Sequence, residues 1–102
     1  QRFFEFVNEE CREWHSVAHY SEKLCLTPNY LNELIKKETG LTAKQIINDR
    51  LLVEAKKLLQ YSPSSITEIA EALNFENTSY FIRFFRNQQN ITPLEFRNKS
   101  KA

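Results

Sequence analysis

Two stretches of this sequence repeat one another at an offset of 49 to 50 residues, and that repeat limits the fold more than any other feature. Leu24 matches Leu73 and Leu26 matches Phe75 at an offset of 49. After one inserted residue the offset becomes 50: Leu31 matches Phe81, Leu34 matches Phe84, Ile35 matches Phe85 and Lys36 matches Arg86. Gly40-Leu41-Thr42 then matches Asn90-Ile91-Thr92. The apolar residues recur at i, i+3 and i+4, the spacing of one helix face. Two unrelated amphipathic helix pairs would share that periodicity, but not the matched stops and starts. The chain is expected to contain one helical unit twice.

Little in the sequence can make anything but helices. A single Gly and three Pro leave almost no material for hairpins, and no strand alternation persists. Start signals are clear. Thr27-Pro28 sets a capping hydroxyl before a Pro at the first helical position, Thr42 to Gln45 and Ser65 to Glu68 read as capping boxes, and Thr92-Pro93-Leu94-Glu95 combines both devices. Gly40 stops one helix, and Ser62-Pro63-Ser64 breaks the chain after a long helical run. These signals predict an all-α fold of about seven helices, roughly 2–14, 17–24, 28–38, 43–60, 66–73, 78–88 and 93–99. Residues 1–15 read as an entering helix or linker. Residues 16–102 read as two helix-turn-helix subdomains, the first about 16–41 and the second about 65–99, joined by a long central helix over about 43–60. That helix would span about 27 Å at ~1.5 Å per residue, against ~34 Å between successive major-groove segments on one face of DNA. Ile46, Ile47, Leu51, Ala55, Leu58 and Leu59 are its expected contacts with the two units.

With 102 residues, 41% of them hydrophobic, the chain has enough apolar surface for one modest core. No apolar run approaches the ~20 residues that span a bilayer. The sequence contains no Met, so it is expected to be part of a longer protein. Cys11 and Cys25 form no CxxC motif and fit a reducing compartment. Cys11, His15 and His19 would align as metal ligands only on an unbroken helix, and a break is expected near Ser16; no metal or other cofactor is assigned. Net charge is +1 but unevenly spread. Residues 1–26 hold three basic and five acidic residues, 27–76 hold six and seven, and 77–102 hold five and one. An anionic partner would meet the C-terminal end.

In each repeat a short helix, a tight turn and a second helix with a polar outer face follow one another. Ala18, Ser21 and Leu24 in the first unit, and Ile69, Ala70 and Leu73 in the second, suit close packing of the pair. Cys25-Leu26 and Asn74-Phe75 form the turns, and Asn74 accepts a left-handed backbone at lower cost than most residues. Leu31, Leu34 and Ile35 are the expected buried stripe of one second helix, leaving Asn29, Asn32, Glu33 and Lys36 together outside. Phe81, Phe84 and Phe85 do the same in the other, leaving Ser79, Ile82, Arg83 and Arg86 outside. Amides, a hydroxyl, an acid and arginines are groups that read base edges, and Ile can touch a thymine methyl. A solvated polar face is the alternative for either helix alone; two such faces in one repeated frame favour DNA reading.

These residues resemble the AraC/XylS family of bacterial transcription regulators over roughly 16–98. The resemblance rests on Leu31-Asn-Glu-Leu34-Ile35-Lys36, Gly40-Leu-Thr42, Ile46-Ile47-Asn-Asp-Arg50-Leu51 and Ala55 with Leu58-Leu59. Its more specific part is Ile66-Thr-Glu68-Ile69-Ala70, Asn74-Phe75, Ser79-Tyr-Phe81-Ile-Arg83-Phe-Phe85-Arg86, Thr92-Pro93 and Phe96-Arg97. It implies a cytoplasmic regulator, an activator or a repressor, whose two recognition helices enter adjacent major grooves of double-stranded DNA. RNA polymerase and an N-terminal sensor or dimerisation domain before Gln1 are the further implied partners. Base contacts carry over to Asn29, Asn32, Glu33 and Lys36, and to Thr78, Ser79, Ile82 and Arg83. Phosphate contacts carry over to Lys37, Arg50 and Arg86. The chain departs from the family at Asn74 and Asn90, where Gly is usual, at Ile82, a position more often small or polar, and at the acidic Glu33. No nucleophile elbow, Gly-rich phosphate loop, HExxH or inward carboxylate pair points to an enzyme. A helical protein-interaction module is the remaining rival.

Overall fold

A computed structural model describes residues 2–101. Among them the chain forms seven helices and no strand: α1 (Arg2–Glu10), α2 (Val17–Lys23), α3 (Pro28–Thr39), α4 (Ala43–Tyr61), α5 (Ile66–Ala72), α6 (Thr78–Gln89) and α7 (Pro93–Ser100). The all-α expectation holds, and six helices lie within a residue or so of their expected ends. The first is shorter. It stops at Glu10, and both Glu13 and Trp14 donate their N–H groups back to the Glu10 carbonyl in a turn. The Tyr20 hydroxyl donates to the Trp14 carbonyl at 2.6 Å, and the Trp14 ring stacks on His19, so tertiary contacts draw the chain off the helix axis. Cys11, His15 and His19 therefore share no helix.

The chain divides into two compact units, residues 1–51 and 52–102. In the first, Phe3, Val7, Cys11, Tyr20, Leu31, Ile35, Ala43 and Ile47 form a closed core. Three of these come from the segment before residue 16, so α1 is a wall of this core. In the second unit Leu52, Ala55, Leu59, Ile69, Ala70, Leu73, Phe81, Phe85 and Pro93 are buried. Phe75, Phe81, Phe84, Phe85 and Phe96 meet in edge-on and tilted pairs, geometries that the ring quadrupole favours. Along α4, Ile47, Leu51, Ala55 and Leu59 are all buried, one stripe at i, i+4, i+8 and i+12.

The repeat seen in the sequence is reproduced bond by bond. In α2 and its turn, the N–H groups of Leu24, Cys25 and Leu26 donate to the carbonyls of Tyr20, Glu22 and Ser21. In α5 and its turn, those of Leu73, Asn74 and Phe75 donate to Ile69, Glu71 and Ala70, the same pattern 49 residues on. Cys25 and Asn74 both adopt left-handed backbone, with φ of 58° and 60°. Gly40 and Asn90 end α3 and α6 in that conformation too, at 79° and 65°. Asn thus stands in for Gly, because its short side chain tolerates a region that Cβ sterics otherwise penalise. The left-handed Cys25 was not legible in advance. It is a residue type with no such preference.

Candidate nucleic-acid interface

The two second helices are held by matched caps. Thr27 accepts the Tyr30 N–H on its side chain at the start of α3, and Asn77 accepts the Tyr80 N–H at the start of α6. Ser16 and Ser65 do the same for α2 and α5 through His19 and Glu68. The Ser16 and Asn77 caps were missed in the sequence, though Ser16 lies 49 residues before Ser65 and Asn77 lies 50 after Thr27. After each second helix, Thr42 and Thr92 exchange reciprocal bonds with Gln45 and Glu95 at the start of α4 and α7. The N–H donors of Ser65 and Thr92 hold the Glu68 and Glu95 carboxyls below the usual carboxylate range. With both ends fixed, each second helix presents a defined face.

On α6 that face is concave. Ser79, Ile82, Arg83, Arg86, Asn87 and Asn90 line an open hollow of about 680 Å³. Four of these are sequence-expected residues. Asn87 and Asn90 were not singled out as contacts, although Asn87 follows Arg83 by one helical turn. The Arg83 guanidinium lies over the Tyr80 ring, 5.7 Å from its centroid, which restrains a side chain that would otherwise sweep many rotamers. Thr78 is set back from this group, half-buried with its hydroxyl donating to the Thr67 hydroxyl. Among the described residues no carboxylate lines the hollow, and two guanidiniums do.

On α3, Asn29, Glu33, Lys36 and Lys37 are exposed. Asn29, Glu33 and Lys36 stand on one face at i, i+4 and i+7. Asn32 is half-buried, and its side-chain oxygen Oδ1 accepts the Ala43 N–H at 3.0 Å. Arg50 lies on α4 and is half-buried. This first face mixes one acid with two lysines, so its field is weaker than that of α6.

Around the first unit's entry, the His19 imidazole lies 2.9 Å from Glu10, and Lys23 bonds the second oxygen of that carboxylate. Those bonds, that of Lys23 foremost, lower the Glu10 pKa. Lys44 donates to the His15 carbonyl at 2.7 Å, and burial lowers its pKa. Burial likewise raises the Tyr20 phenol, with Cys11 and Glu10 adding to the effect. Among the described residues no group of three metal-ligating side chains comes together, and no helix is long and apolar enough to cross a membrane.

Comparison with known proteins agrees with this geometry. A family model described as a helix-turn-helix domain matches residues 20–99. The HTH-type transcriptional activator RhaS of Salmonella arizonae is 35% identical over 97 residues, which cover 95% of this chain and 33% of RhaS. The chain thus spans about a third of the length of the curated relatives it matches. Among solved structures, the C-terminal domain of the two-component response regulator yesN from Fusobacterium nucleatum superposes with a TM-score of 0.79 at 31% identity, covering 91% of this chain and 95% of that one. An AraC-type transcriptional regulator from Chromobacterium violaceum gives a TM-score of 0.82 at 26% identity, covering 96% of this chain and 88% of that one. The chain belongs to the helix-turn-helix DNA-binding domains of the AraC/XylS family of transcription regulators.

Proposed function

We propose that this chain is the sequence-reading output domain of a cytoplasmic transcription activator, with α3 and α6 each entering a major groove of double-stranded DNA and the two grooves adjacent. The observation that carries this reading is the duplicated frame: two helices with matched caps and matched left-handed stops, each with an outward polar face. Asn29, Glu33 and Lys36 on α3, and Thr78, Ser79, Ile82 and Arg83 on α6, are the proposed base contacts. Lys37, Arg50 and Arg86 are the proposed phosphate contacts, which position the domain without reading sequence. RhaS is an activator, and the yesN structure is the C-terminal domain of a two-component response regulator. By analogy this domain works beside a sensor or dimerisation domain and acts on RNA polymerase.

Selection of bound duplexes from a random library by the 102-residue chain tests the proposal. Two half-sites should emerge with centres about 10 base pairs apart. Recovery of no motif would contradict it.

A further inference from the structure

We infer that Asn32 is a positioning residue which fixes the recognition helix α3 against the start of α4, a deepening of the DNA-reading proposal on which it rests. Ala43 is the first residue of α4, and a first-turn N–H has no partner within its own helix. Here the residue is fully buried, so water cannot supply an acceptor. The Asn32 side-chain oxygen Oδ1 does so at 3.0 Å. Because a backbone N–H only donates, the bond also fixes which amide atom of Asn32 faces Ala43.

The second unit shows the same requirement removed. Fifty residues on, the position of Ala43 is Pro93, which has no N–H, and the position of Asn32 is the apolar Ile82. Both residue pairs change together. An amide stands on the second helix where the following helix begins with a donor, and a hydrocarbon stands there where it begins with a proline. A base-reading role for Asn32 gives no reason for that exchange, whereas an anchoring role requires it. Bidentate adenine reading would need that same oxygen to accept from adenine N6 while the amide N–H donates to N7, and the bond to Ala43 already engages the oxygen and sets the amide plane.

The test uses four variants of the 102-residue chain, read by amide exchange in the free protein and by duplex selection and affinity. In Asn32→Ala the Ala43 amide should exchange about tenfold faster or more, as a buried donor loses its acceptor. Affinity for the selected duplex should fall about five- to tenfold with the selected motif unchanged. Asn32→Asp keeps the acceptor but not the amide donors, so Ala43 should stay protected and the motif should persist. Asn32→Ile with Ala43→Pro copies the second unit and should restore affinity to within about twofold of the Ala43→Pro single variant or of wild type, whichever is lower.

Exchange of Ala43 at the wild-type rate in Asn32→Ala overturns the inference. So does a changed base at one position of the motif in Asn32→Ala or Asn32→Asp, or faster exchange with unchanged affinity. Wild-type binding is the control. Its absence would overturn the DNA-reading proposal itself, whereas wild-type binding with an altered variant motif overturns only the role of Asn32.

Discussion

At the scale of single residues, Arg83 and Arg86 share one hollow but are assigned different work. Arg83 is restrained over Tyr80 and sits one turn into α6, and the DNA-reading proposal gives its fork of donors a guanine edge. Arg86 lies near the end of the helix. Arg83→Ala should cost about 1–3 kcal/mol of binding and relax preference at one base pair. Arg86→Ala should weaken all duplexes alike and reduce the salt slope by about one; equal effects of the two on the selected motif would refute the division. Glu33 stands exposed beside Lys36 on α3, and an acid there either accepts a cytosine amine or repels phosphates. Glu33→Ala should lose preference for one G·C pair and bind non-target DNA more tightly. An unchanged motif with uniformly tighter binding would show repulsion alone. Much of this site was legible because helical spacing places Asn29, Glu33 and Lys36, or Ser79, Ile82, Arg83 and Arg86, on one face whatever surrounds them. The bond from Asn32 to Ala43 was not, since it joins side chain and backbone eleven residues apart across two helices. Asn87 carries only the weaker signal of lying one turn after Arg83, in the last turn of α6.

At the scale of elements, the capping residues decide where each helix begins, and most of them were readable from Thr-Pro pairs and from Glu or Gln three residues after a hydroxyl. The end of α1 was not readable, since the contacts of Trp14 with His19 and Tyr20 override a continuing helical pattern. Two consequences follow for stability. Cys25 holds a φ of 58°, which costs a residue with a Cβ roughly 1–2 kcal/mol, while Gly adds back roughly 0.5–1 in unfolded-state entropy. Cys25→Gly should therefore stabilise the domain by about 0.5–1 kcal/mol, seen as a melting temperature raised by a few degrees; a lowered melting temperature would refute the strain. The carboxyls of Glu68 and Glu95 have folded pKa values below their ordinary 4.5. Their contribution is complete above that value and is lost as pH falls through the lower folded values. Glu68→Gln with Glu95→Gln keeps both boxes in the form that Thr42 and Gln45 already show, without the titration. Urea midpoints of the double variant should fall less steeply than wild type below about pH 4.5. An identical acid limb would show that other groups govern it.

At the scale of the whole molecule, a net charge of +1 looks poorly suited to a polyanion, yet five basic residues and one acid occupy positions 77–102. The two copies of the unit have diverged in charge as well as in caps: the α6 hollow holds two arginines and no acid, while α3 sets Glu33 against two lysines. On the DNA-reading proposal, such a division gives the second unit the larger share of the electrostatic affinity, with base contacts in both units. Affinity from phosphate contacts is salt-dependent through counterion release, and affinity for a protein partner through apolar surface is not. Titration of the 102-residue chain against its selected duplex by fluorescence anisotropy, at several salt concentrations, separates these possibilities. With Arg83, Arg86, Lys36, Lys37 and Arg50 facing DNA, log K should fall against log salt with a slope of magnitude about 3–5, from ~0.9 per neutralised phosphate. A slope near zero would contradict DNA binding by this domain.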